Sequence, residues 1–323
     1  MGMRERLIVA LGVAALGAIG SANAAPQARI WVSGKGQDTA GCGSPVSPCR
    51  TLQFAHDNVS SGGQIDILDP AGYGAIKITK AVRIVNDGVG TASVLAQAGL
   101  DAISISAGPN DAIFLRGLNI DGGGVGHRGI DFLSGGSLEV MDTGIRYFSG
   151  NGIALEQSAV GRFRFKNVIA SENGGDGLIV IPQNTSSANV VIHDSTFSHN
   201  SGSGVNIDAS SANVITMTLS DSAVDFNQVA GVNIGTVQNT TNGDEVILDN
   251  VTITHNPIGV AIHGAPSTVL RYNMFIGRSL MSYNATCLSV AFFGGAISSY
   301  GDNYATGNGI DNFGALATLI ARQ

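Results

Sequence analysis

Asn167-Val-Ile-Ala-Ser-Glu-Asn173, followed by Gly177-Leu-Ile-Val180, decides the fold, because the chain keeps returning to it. The same frame recurs as Asp194 to Asn200 with Gly204-Val-Asn-Ile207, and as Asp221 to Asn227 with Gly231-Val-Asn-Ile234. It recurs again as Asn250 to Asn256 with Gly259-Val-Ala-Ile262. A weaker copy precedes these (Asp142 to Phe148, then Gly152-Ile-Ala-Leu155), and weaker copies follow from Arg278 and Asp302. Successive starts are 24 to 29 residues apart. Self-similarity at such a period marks a solenoid, in which each repeat buries its apolar face only against its neighbours.

Within each unit apolar and polar residues alternate, the pattern of a strand with one buried face. Stacking the units gives an apolar row of Ile113, Leu138, Phe163, Val190, Met217 and Val246, and a second of Leu115, Val140, Phe165, Ile192, Leu219 and Leu248. The row beside them, Ala112, Ser137, Arg162, Asn189, Thr216 and Glu245, reads as a solvated face. Parallel strands joined by crossovers are right-handed in nearly all folds. The expected architecture is therefore all-β: a single-stranded right-handed parallel β-helix over residues 64–323. Hexapeptide solenoids have a shorter period, and the leucine-rich consensus is missing.

Asn173, Asn200, Asn227, Asn256 and Asn284 fall in register at one turn. Asparagine tolerates left-handed backbone, and its amide can bond the copy one coil away, so these residues are expected to form a structural ladder. Gly152, Gly177, Gly204, Gly231 and Gly259 are read as supplying backbone freedom. Cys287 occupies the same slot and is read as a small packing residue.

An open solenoid end needs a cap. Thr51 to Val59 carries Leu52, Ala55 and Val59 at helical spacing and is read as a short helix, stopped by Gly62-Gly63, within a cap spanning residues 25–63. Ala315 to Ile320 could close the other end as a strand or short helix. Cys42 and Cys49 lie seven apart in a Gly/Pro/Ser-rich loop and are expected to form a disulfide in an oxidising compartment. Three cysteines without a CxxC pair argue against zinc.

Residues 1–24 read as an export signal: Arg4 and Arg6, an apolar stretch from Leu7 to Ile19, and a small-residue site at Ala22-Asn23-Ala24, with cleavage after Ala24. The expected location is secreted, periplasmic or at the cell surface. No later stretch approaches the roughly 18 apolar residues of a membrane span. Of 17 basic and 24 acidic residues, Arg4, Arg6 and Glu5 leave with the signal, giving a net charge of −8. An acidic chain without a basic run argues against a nucleic-acid partner.

Trp31-Val-Ser-Gly34, Asp38, Pro48-Cys49-Arg50-Thr51-Leu52-Gln53-Phe54-Ala55 and Gly62-Gly63-Gln64-Ile65-Asp66-Ile67-Leu68 together resemble the N-terminal cap of secreted bacterial right-handed β-helix repeat proteins of the pectin-lyase-like superfamily. The resemblance extends over essentially all of the chain after the signal. Its polygalacturonase-like members imply a cluster of aspartates with Asn-Thr-Asp, Asp-Asp, Gly-His-Gly and Arg-Ile-Lys signatures, none of which occurs here; His263-Gly264 is half of one. Its pectate-lyase-like members imply acidic calcium ligands and an Arg or Lys base. Calcium needs about six oxygens, and the acidic residues here form no converging cluster, so no cofactor is expected.

Two sets of residues remain as candidates. The position before each ladder asparagine reads Glu172, His199, Phe226, His255 and Tyr283. Glu172, His199 and His255 could act as acid/base groups on neighbouring coils, about 4.8 Å apart. On an exposed strand row, Arg116, Lys166 and His193, with Arg164 on the row beside it, make a basic patch able to hold uronic-acid carboxylates, with Glu139 placed to pair with Arg164. The residues support two readings: a non-catalytic secreted solenoid that binds extracellular polysaccharide or serves at the cell surface, and a polysaccharide lyase or glycoside hydrolase with an atypical site.

Overall fold

The computed structural model of the protein describes residues 27–211, 214–235, 244–263, 272–291 and 296–320. The export signal read at 1–24 and Gly264 lie outside the described residues. The chain winds into three parallel sheets joined by turns. Sheet 1 begins at Gln27–Val32 and ends at Thr318–Leu319, sheet 2 runs from Ala71–Gly72 to Tyr304–Thr306, and sheet 3 from Ile76–Ile78 to Thr286–Ala291. In two coils, strands Ser137–Arg146 and Gly161–Ser171 run continuously from sheet 1 into sheet 2.

The register matches the sequence stacking residue for residue: Leu138 pairs with Phe163, Phe163 with Val190, Val190 with Met217 and Met217 with Val246. Leu115, Val140, Phe165, Ile192, Leu219 and Leu248 form the second inner column, each fully buried. Alternation along a strand sends every second side chain inward, and stacking merges the inward ones into one continuous core.

The asparagine ladder is present. Each side-chain nitrogen donates to the side-chain oxygen one coil on: Asn173 to Asn200 (3.0 Å), Asn200 to Asn227 (3.0 Å), Asn227 to Asn256 (3.1 Å) and Asn256 to Asn284 (3.2 Å). It extends to Asn308 (3.0 Å). These buried amides also cap the carbonyls that end sheet 2, as Asn200 does for Ala170 and Asn227 for Phe197.

Two expectations about this turn need correcting. The left-handed residue is not the asparagine but the residue before it: Tyr147, Glu172, His199, Phe226, His255 and Tyr283 have φ of 54–60°. The asparagine is free to point inward because its predecessor makes the bend. The glycines at 152, 177, 204, 231 and 259 do not serve φ freedom either. A Cβ at Gly177 would stand 2.7 Å from the Gly204 carbonyl oxygen, and one at Gly259 2.6 Å from the Cys287 carbonyl oxygen, so glycine is required by close approach of the next coil. Cys287 is buried and unpaired, as a packing residue should be, and burial pushes its thiol up to about 12.

A helix spans Leu52–Asn58. Thr51 caps it by accepting from the Phe54 N–H, and Asp38 holds Thr51 through its hydroxyl (2.7 Å). Leu52, Ala55 and His56 are its buried residues. It ends before the expected stop: Gly62 and Gly63 lie inside the strand Val59–Ile67. Gln27–Val32, in the stretch read as the cap, already pairs with that strand. Cys42 and Cys49 form a disulfide with Cα atoms 5.1 Å apart. At the other end Phe313–Leu316 is a short helix and Thr318–Leu319 a strand, so both forms expected there occur.

Candidate functional site

Two surfaces carry chemistry. The first is the outer face of sheet 1. On strand Gly161–Ser171 the residues Arg162, Arg164 and Lys166 alternate with buried Phe163 and Phe165, so all three cations project outward side by side. Ser137, Glu139 and Met141 flank them on one coil, and Asn189, Val191 and His193 on the next. Ser137, Glu139, Arg162, Arg164, Asn189 and Val191 line a shallow depression of about 400 Å³. Among the described residues Arg162 and Lys166 form no ion pair, and Arg164 meets Glu139 only at 3.8 Å.

The structure divides the basic patch read from sequence. Arg116 is engaged by Asp87 at 3.2 Å and Asp142 at 3.1 Å. His193 stands between Asp194 and Asp221, each at 3.1 Å. Both are absorbed by carboxylates at the turn between sheets 1 and 2. Arg164 and Lys166 stay in place and are joined by Arg162, which the sequence reading counted only as solvated surface. Its signal was visible: three cations at every second position of one strand.

The second surface is the turn between sheets 2 and 3. Here His199, Phe226, His255 and Tyr283 stack ring on ring, with centroids 5.0, 4.5 and 5.3 Å apart and planes within 12–21° of parallel. Glu172 and His199 line one depression of about 520 Å³ with Gly124, Tyr147, Phe148, Asn173, Gly174 and Ser201. Two of the three acid/base candidates are therefore brought together. His255 is not, because Phe226 lies between it and His199. Burial raises the pKa of Asp225, beside this stack, and His199 and His255 oppose the rise.

A third cluster was missed. Arg128 bridges Asp131 (2.9 Å) and Glu156 (3.0 Å), and His127 meets Asp101 (3.1 Å). Burial pushes the Asp131 carboxyl up, Arg128 opposing it. Its members stand at different heights of irregular coils, where no repeat frame aligns them. Among the described residues no three His, Cys, Asp or Glu side chains are placed to hold a metal ion. No described helix is long and apolar enough to cross a membrane.

No protein-family model matches the sequence, and no curated protein matches it. Solved structures do match. The crystal structure of pectate lyase Pel9A aligns with 87% of this chain and 81% of its own, at a TM-score of 0.59 and 13% identity. The fold is a right-handed parallel β-helix, as in that structure. The A-module of the Azotobacter vinelandii mannuronan C-5 epimerase AlgE4 also matches this β-helix, over 81% of this chain and 90% of its own, at a TM-score of 0.46 and 15% identity. At such identity the similarity establishes the fold alone, and site chemistry has to come from the residues of this β-helix.

Proposed function

We propose that this β-helix binds an acidic polysaccharide across the outer face of sheet 1. The observation that carries the reading is the strip of Arg162, Arg164 and Lys166. A guanidinium presents paired N–H donors that match a carboxylate, and an ammonium adds a mobile point charge. Ser137 and Asn189 flank Arg162 and offer hydrogen-bonding groups for sugar hydroxyls. The protein is acidic overall, so a local cationic strip selects polymers whose charges come in a line. The solved pectate lyase of the same fold is named for action on such a polymer, which agrees with the reading.

The test is calorimetric titration with polygalacturonate and alginate. Wild type should bind either polymer, more weakly as salt screens the cations. The Arg162→Ala, Arg164→Ala, Lys166→Ala triple variant should lose at least about tenfold in affinity. Unchanged affinity in the triple variant would sink the proposal. Glu172 and His199 sharing one depression favour a second reading, a carbohydrate-active enzyme. Release of unsaturated uronate, followed by absorbance at ~235 nm as the product conjugates its C=C bond with the carboxylate, would establish it; binding without release excludes a lyase.

We also infer that the chain works outside the cytoplasm. The export signal at 1–24 and the Cys42–Cys49 disulfide both support this. Amino-terminal sequencing of exported protein should begin at Ala25.

A further inference from the structure

At the turn between sheets 2 and 3 the outer row reads Tyr147, Glu172, His199, Phe226, His255, Tyr283, one residue per coil. From His199 onward the rings are in contact. The row is broken once, at Glu172, which has no ring. Coils repeat at about 4.8 Å, so the Tyr147 and His199 positions stand roughly 9.6 Å apart. One ring held at van der Waals distance from both sides needs roughly 7–8 Å. Beyond the Glu172 side chain, which enters from the coil between, the walls leave room for a single ring-shaped group, and a depression of about 520 Å³ lies there.

Each wall is held. Phe226 covers one face of His199 and leaves the other toward the gap. Arg146 lies over Tyr147 and bonds Asp121 in the preceding coil, which places the guanidinium on the side away from the gap. Buried Phe148 and Asn173 form the floor. The Glu172 carboxylate makes no hydrogen bond or ion pair with any described residue, and the Ser201 hydroxyl stands nearby. Glu172 is held at φ 58°, the same left-handed backbone that every residue of this row adopts.

We propose that the gap between Tyr147 and His199 is a binding slot for one neutral pyranose unit of a glycan. The C–H faces of the sugar stack on the two rings, and vicinal hydroxyls donate to the Glu172 carboxylate. The same carboxylate repels a uronate, so the slot takes a different sugar from the strip on sheet 1 and does not depend on it.

Saturation-transfer NMR and calorimetry with gluco-, manno- and galacto-configured β-1,4-hexasaccharides test the slot. At least one neutral series should bind wild type, with saturation passing from the protein to the C–H protons of one sugar ring. Glu172→Phe should abolish binding, because a ring there fills the gap and continues the stack. Phe226 already occupies the same backbone geometry two coils on, so this variant should fold with an undiminished Tm. Glu172→Gln keeps an acceptor but loses the charge and should weaken binding about tenfold. Failure of all three series to bind wild type, or equal binding by folded Glu172→Phe, overturns the proposal. Binding of polygalacturonate without neutral glycan overturns the slot alone; the reverse overturns the sheet 1 reading alone.

Discussion

Each regular coil makes two left-handed bends, and the two are furnished differently. Between sheets 1 and 2 the bend falls on Asp142, Asn167, Asp194, Asp221, Asn250 and Arg278; between sheets 2 and 3 it falls on Tyr147, Glu172, His199, Phe226, His255 and Tyr283. The first set is almost all Asp and Asn, the non-glycine residues that best tolerate positive φ. Its members also bond along the axis, Asn167 to Asp142 at 3.0 Å and Asn250 to Asp221, with Arg116 neutralising Asp142 and His193 in contact with Asp221. In the second set only His199 and His255 are of a type enriched at positive φ. From His199 onward its members stack, worth about 0.5–1.5 kcal/mol a pair. Glu172 takes no part in that stacking.

The largest effect expected lies just inside the second bend. Asn227→Ala removes an amide that accepts from Asn200 and donates to Phe197 and Asn256, leaving several buried groups unpaired. It should cost about 3–5 kcal/mol by denaturant unfolding. A cost below about 1 kcal/mol would mean that the outer stack, not the inner ladder, holds this turn.

Asp244 lies on neither bend and serves as a reference for one buried group. It is 2% exposed, its Oδ2 has no partner among the described residues, and burial pushes its carboxyl up to about 6. The unfolded chain gives up this proton near pH 4 and the folded one near pH 6, so stability contributed here falls as pH rises between those values. Asp244→Asn should therefore raise stability at pH 7 by up to about 3 kcal/mol and change little at pH 3. Equal Tm shifts at both pH values would contradict this.

Exchanging residue types between the bends sharpens the comparison directly. Asp221→Phe places a ring at the first bend with no ring on either neighbouring coil and breaks the contacts to His193 and Asn250. It should cost about 2 kcal/mol. Glu172→Asn does the opposite, and chemical denaturation should show a gain of about 0.5–1 kcal/mol. A loss on Glu172→Asn would show that Glu172 has a structural role.

The repeat frame made most of the fold readable. Both apolar columns, the asparagine ladder and the disulfide pair follow from residue spacing, because a parallel in-register stack puts equivalent positions on top of one another. The helix ends earlier than its glycines suggest, because Gly62 and Gly63 belong to the strand that follows it. The candidate sites were only half legible. Arg164 and Lys166 share the outward strip with Arg162, and Glu172 shares a depression with His199, whereas Arg116 and His193 meet carboxylates at the turn. The Arg128 cluster was invisible because its members share no position in a repeat.

The sequence by itself determined the period, the inward columns and the identity of the stacked rows, since one-dimensional order fixes everything that depends only on register. The tertiary structure decided which residue of each pair bends the backbone, which glycines are required by a neighbouring carbonyl, and which charges are free. Those properties depend on distances between coils and on side-chain direction, and a repeat pattern specifies neither.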